Sequence, residues 1–148
     1  MSFRVRGVQA TIKKLQRFGQ EGENRAKQIT AITANEIATK AAQNLSAYND
    51  VDHNGTIAQS INAVPKNNGL TWGISVNQVP MAAYIEFGTG VYVDIPPGWE
   101  QIAWKFYVNG LGRLTPHPYL YPAFNAGKRQ YEVDLKDALN SLTRRYNR

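Results

Sequence analysis

The sequence predicts an α+β fold: a small, mainly antiparallel sheet packed against long N-terminal and C-terminal helices. Three patterns predict it. Apolar residues recur at helical spacing between residues 21 and 45, alternate strictly with polar ones from 70 to 77, and return to helical spacing from Leu120 to Tyr146. A chain of 148 residues fits one domain, which at that size buries roughly two thirds of its unfolded surface. The expected division of 1–148 is helical from about 8 to 46, sheet with an insert from 57 to 109, and helical from 122 to 146.

Val8, Ile12 and Leu15 mark a short first helix that Gly19 and Gly22 interrupt. From Glu21 to Leu45 the stripe Ala26, Ile29, Thr33, Ile37, Ala41, Leu45 predicts a longer helix, about 37 Å long at 1.5 Å per residue. The β-branched run ITAIT at 29–33 opposes it locally, because those side chains lose rotamer freedom in a helix. In the hairpin, Leu70, Trp72, Ile74 and Val76 form the buried face. Asn68 and Gly69 accept the positive φ angles of a tight turn, pairing a first strand near 59–66 with a second at 69–77. Residues 101–109 alternate Ile102, Trp104, Phe106 and Val108 and are read as a strand, although Trp99, Ile102, Ala103 and Phe106 would equally line a short helix. The last helix carries Leu120, Phe124, Gly127, Tyr131, Leu135, Ala138, Leu142 and Tyr146. Pro122 is expected at its first position, where the missing N–H costs no bond.

Residues 50–61, DVDHNGTIAQSI, have the opening of a calcium-binding loop, with Asp50, Asp52 and Asn54 at alternate positions and Gly55 sixth. The twelfth position, where a bidentate Glu belongs, is Ile61, and the ninth is Ala58. The stretch therefore reads as a polar turn in which Gly55 takes a conformation other residues resist.

The net charge is +6 and sits at the ends. Residues 1–45 hold eight Lys or Arg against three acids, residues 128–148 hold six against three, and the middle holds three against five. Solvated helix faces account for this, with a nucleic-acid-binding module using the basic terminal helices as the alternative function. No aromatic residues interleave with the basic ones as stacking platforms would require. The absence of cysteine excludes disulfides and thiolate metal sites and suits a reducing compartment. No apolar stretch approaches the roughly eighteen residues of a membrane span, and the opening MSFRVRGVQATIKK lacks a signal-peptide core; a cytoplasmic protein is expected.

Two segments stand out, MAAYIEFGTG at 81–90 and PHPYLYPAF at 116–124. With the long helix, the Gly-containing turn and the hairpin before them, they give a chain that resembles the tail-completion or head-to-tail joining proteins of long-tailed double-stranded DNA bacteriophages. The resemblance spans residues 5–145 and rests chiefly on Glu86, Phe87, Gly88 and Thr89, then Pro118, Tyr119, Leu120, Pro122 and Ala123. DVDHNGTI occupies the slot of a family turn, keeping Gly55 but lacking its Pro and Leu, and residues 91–115 are a long insert. The resemblance implies a structural protein of the virion neck. Copies would form a ring, commonly of six, between the head connector or adaptor and the tail terminator or tail tube. Duplex DNA would pass nonspecifically through the ring, with no cofactor and no membrane partner.

Gly88 and Gly90 permit a sharp turn after Phe87, and the Glu86 carboxylate has two readings. In one the turn meets a neighbouring subunit, through Tyr84, Glu86, Phe87, Gly88, Thr89 and Gly90 together with Trp99, Pro118 and Tyr119. In the other Glu86 caps its own backbone inside the chain. An Ala at position 86 separates them, since only the internal turn is needed for the monomer to fold. Gly55, Gly69, Pro122 and Ala123 are expected to define the fold. Trp99, Trp104, Tyr107, Tyr119 and Tyr121 crowd one region, part core and part docking patch around residues 96–100. His53 and His117 have no partnered nucleophile in sequence, so the chain reads as a non-enzyme.

Overall fold

The computed structural model describes residues 2–4, 19–77, 80–106 and 112–146. A short strand β1 (Ser2–Arg4) precedes helix α1 (Gln20–Ser46). A single-turn helix α2 (Thr56–Gln59) leads into the hairpin of β2 (Asn62–Lys66) and β3 (Thr71–Ser75). Helices α3 (Met81–Phe87) and α4 (Glu100–Phe106) follow, and α5 (Leu120–Tyr146) ends the chain. The sheet order is β1-β3-β2 and every pairing is antiparallel, with Ile74 opposite both Phe3 and Ala63. The expected fold class is the one found: a small antiparallel sheet against two long helices.

Helix α1 runs 27 residues. Glu21 and Glu23 place negative charge in its first turn, where the helix dipole favours it. The β-branched run that opposes helix locally is settled by tertiary contacts. Thr30 and Thr33 are buried, and the Thr30 hydroxyl donates to the Ala26 carbonyl at 2.7 Å. That bond uses the only hydrogen Thr30 Oγ1 has, so Tyr131 of α5 must be the donor in the 3.1 Å contact between the two hydroxyls. Around it Ala26, Tyr131, Leu135 and Leu142 form one apolar cluster between the long helices. Farther along, Ile37, Ala41 and Leu45 of α1 join Ile74, Val76, Ile85, Phe87, Tyr119 and Leu120 in the main core. Gly127 lies where α5 crosses α1, and a methyl group there would overlap the buried Ile37 side chain. The two backbones thus approach closely because α5 carries no side chain at that point.

The hairpin turn takes Asn67, Asn68 and Gly69 with φ of 48°, 56° and 84°. Three successive left-handed residues explain why Asn and Gly occupy it. Three expectations need correction. The first strand begins at Asn62, not near 59, because Asp52 caps residues 56–59 as a helical turn through the Ile57 N–H at 3.2 Å and the Ala58 N–H at 2.9 Å. Residues 101–106 are helix rather than strand: the amides of Ile102 and Ala103 both bond the Trp99 carbonyl, and Trp99 and Ala103 are buried while Trp104 is exposed. Helix α5 begins at Leu120, so Pro122 is its third residue and not its first. The expected helix over Val8–Leu15, and residues 107–109 of the expected strand, lie outside the described residues.

Substituting Gly127 with Ala is expected to lower unfolding free energy by about 1–3 kcal/mol through overpacking, although Ala alone favours helix by about 1 kcal/mol. Urea denaturation measures it, and the double variant Gly127→Ala with Ile37→Ala should lose less than the sum of the single changes. Tyr131→Phe should cost about 1 kcal/mol, the usual net value of one hydrogen bond, in the same assay.

Candidate functional site

Helix α3 ends at Gly88, whose N–H bonds the Tyr84 carbonyl at 2.8 Å and whose φ is 76°. A side chain here would be strained, and its Cβ would lie 2.8 Å from Pro116 Cδ and 2.9 Å from the Leu114 carbonyl oxygen. Glycine is required because the returning end of the insert crosses directly above it. The two ends of the insert are then fastened to each other. The Thr89 N–H donates to the Leu114 carbonyl at 2.9 Å, and the Leu114 N–H donates to Thr89 Oγ1 at 2.8 Å. His117 N–H reaches the Ile85 carbonyl at 2.7 Å, and Asp94 N–H reaches that of Phe87 at 2.9 Å. The segment between the two sequence tags therefore closes into a loop on a fixed base.

Glu86 joins the tags. It is 2 % exposed. Its Oε2 accepts the N–H groups of Tyr119 and Leu120, and its Oε1 accepts that of Tyr121, each at 2.8 Å. These are the leading donors of α5, which a helix cannot satisfy from within. The next residue, Pro122, has no N–H to satisfy. One carboxylate and one proline thus account for the whole unpaired first turn. The sequence PHPYLYP has no Ser, Thr, Asp or Asn to serve as a local cap, so the acceptor has to come from elsewhere in the chain. Glu86 does not cap its own turn, as the internal reading had it, but a helix 33 residues farther on.

Neighbouring groups hold the same junction. Asn44 Nδ2 of α1 donates to the Tyr119 carbonyl at 3.0 Å, the Tyr48 hydroxyl to that of Pro118 at 3.2 Å, and the Tyr119 hydroxyl to that of Ala82 at 3.1 Å. His117 stacks edge-on against Tyr48 with ring centroids 4.9 Å apart, and its Nε2 lies 3.8 Å from Asp50. Trp99 covers the first turn of α5, edge-on to Phe87, Tyr121 and Phe124 at 6.3, 5.3 and 5.8 Å. Burial pushes the Glu86 carboxyl above the usual range, and the bonds from Leu120, Tyr121 and Tyr119 pull it back without cancelling that effect. Burial, then the charges of Glu86 and Asp52, push the Tyr119 phenol up, so it stays a donor.

Among the candidate residues, Glu86, Phe87, Gly88, Thr89, Trp99 and Tyr119 are buried within the chain, Tyr84 and Gly90 are half-buried, and Pro118 is exposed. Of the fold-defining set, Ala123 is buried, Gly55 and Gly69 are half-buried in left-handed turns, and Pro122 is exposed. Sequence reasoning missed Asn44, Asp52 and the Thr30–Tyr131 pair; only Asp52, ahead of an uncapped turn, carried a readable signal. Among the described residues no group of three His, Asp or Glu side chains could hold a metal, and no helix is long and apolar enough to cross a membrane.

Glu86→Ala should cost about 3 kcal/mol or more, since each buried unmet donor costs about 1–3 kcal/mol. Denaturant unfolding of the monomer checks this. Glu86→Gln sets up a pH test. A carboxyl raised in the folded state binds protons more tightly folded than unfolded, so its stability contribution is present at low pH and lost as pH rises through the folded value. The stability gap between wild type and the Gln variant should therefore narrow as pH climbs from the model-peptide value of 4.5. A gap that widens would mean the carboxyl is depressed.

Residues 9–88, more than half of the chain, match the model of a family described as "Bacteriophage HK97-gp10, putative tail-component". No curated protein and no solved structure matches the chain. The matched stretch holds α1, the hairpin and α3, and ends on Gly88, shortly before the insert at 91–115. The chain belongs to the HK97 gp10-like family of bacteriophage tail components and is a structural protein, not an enzyme.

Proposed function

We propose that the chain is a ring subunit of the phage neck, joining the head connector to the tail tube around the channel through which duplex DNA passes. Membership of a tail-component family supports a place among virion proteins. The observation that carries the finer reading is the clasp: the polar groups of both tags hold the chain to itself, leaving the exposed residues of the insert on a base tied to the core. Val91, Tyr92 and Trp104 of that insert are exposed apolar residues, the kind of surface that marks a contact with other proteins.

In this reading the proposed interface residues divide by burial. Tyr84, Gly90 and Pro118 have surface to offer a neighbour. Glu86, Phe87, Gly88, Thr89, Trp99 and Tyr119 act by fixing the loop that a neighbour touches. A closed ring repeats one head-to-tail contact around an axis, which leaves no free patch at either end. The channel itself would meet DNA through its phosphates without reading sequence.

Electron microscopy of the purified protein mixed with head connectors or with tail tubes tests the reading. A discrete annular layer added at the joint is expected. Protein that stays in solution and joins neither structure would overturn it.

A further inference from the structure

Helix α5 sorts its charges by side. Leu120, Tyr131, Leu135, Ala138 and Leu142 are buried. The ridge opposite them runs through Ala126, Arg129, Val133, Lys136, Asn140 and Arg144, at steps of three or four residues, and all six are exposed. Every charge on this ridge is positive. The acids of the helix lie to its sides. Asp134 and Asp137 turn toward α1, where they line one crevice with Arg25, and Asp134 accepts from Gln130 Nε2 at 2.9 Å. Glu132 lies on the other flank.

The ridge cations also lack counter-charges. Lys27 pairs with Glu23 and Arg145 with Glu21, whereas Arg129, Lys136 and Arg144 form no ion pair among the described residues. The stretches outside the described residues contain no Asp or Glu that could neutralise them.

We propose that this ridge of α5 is the surface through which the chain meets duplex DNA, by contacts to phosphates. The proposal deepens the ring reading above, on which the placement of the ridge along the channel rests. Spacing selects the partner. Seven and eight residues separate the three cations, or about 10.5 and 12 Å along the axis at 1.5 Å per residue. An acidic protein would have to match these two unequal steps. Duplex DNA carries a negative charge about every 1.7 Å of its axis and so offers a phosphate near any spacing. Two of the three cations are Arg, whose planar fork fits phosphate oxygens.

The salt dependence of binding tests the proposal, because it reads the number of phosphates engaged. Full-length protein is titrated against a fluorescent duplex of random sequence between about 50 and 200 mM salt. Each lost phosphate contact lowers the slope of log affinity against log salt by about 0.9. The triple variant Arg129→Gln, Lys136→Gln, Arg144→Gln should therefore lose about 2–3 from the slope. The control variant Lys40→Gln, Arg113→Gln, Lys128→Gln removes the same net charge from exposed positions off the ridge and should lose less than about one. Thermal unfolding of both should match that of the wild type, since all six side chains are exposed. Equal losses in the two variants, or a wild-type protein that does not bind the duplex, would overturn the proposal. Tighter binding to poly-glutamate than to DNA at equal salt would overturn it too, and would assign the ridge to an acidic protein. An annular layer in microscopy without DNA binding would leave the neck role standing and remove the ridge alone. Ridge-dependent DNA binding without a layer would keep the ridge and remove the neck role.

Discussion

A helix starts with amides its own ladder cannot reach, and burying that end without acceptors costs more than most single contacts return. In this chain the problem falls at the centre of the molecule, where Tyr119 and Leu120 are fully buried at the start of α5. Glu86 resolves it from α3 with a carboxylate that meets three amides at once. The helix dipole adds to the attraction, since negative charge is favoured at an N-terminus. Desolvation opposes it, which is why the carboxyl titrates high despite three short bonds. The result is a junction that fixes where the last helix begins and hence how all of it lies against α1.

From that junction the rest of the packing follows. With its start fixed, α5 descends along α1 past Gly127 and Ile37 to the Thr30–Tyr131 pair, and an ion pair between Arg145 and Glu21 joins the far ends. The exposed ion pair contributes little; the glycine contact and the buried hydroxyl pair set the spacing and register of the helices. On the other side of the junction, Gly88 and Thr89 clamp the chain as it returns from the insert, at Leu114 and Pro116. Core and insert therefore share one anchor. A change at position 86 would be felt in both, whereas a change at Trp104 would be felt by neither.

Much of this was legible in the sequence. The stripe from Ala26 to Leu45 and the alternation from Leu70 to Val76 reported real faces, because long periodic patterns bury one side whatever their partners are. Asn68 and Gly69 marked the turn through their tolerance of left-handed backbone. The tags at 86–89 and 118–123 were visible as a pair, but what links them was not, since a hydrogen bond across 33 residues leaves no periodicity. Its trace was negative: an apolar helix start with no capping side chain, and an acid set among Ala, Ile and Phe. Residues 101–106 misled because Ile102, Trp104 and Phe106 alternate, while the burial of Trp99 and Ala103 that decides for helix comes from the core above α5.

For a component of a phage tail, a body held together in this way has a plain use. Parts that meet other virion proteins stay in place when their base is tied to the core. The central claim, that Glu86 holds the first turn of α5 from inside the chain, is most directly tested by amide hydrogen exchange followed by NMR. Amides at positions 119, 120 and 121 should exchange as slowly as those in the middle of α5, through global unfolding. Rapid exchange of these three, at the rate of an open helix end, would contradict the account.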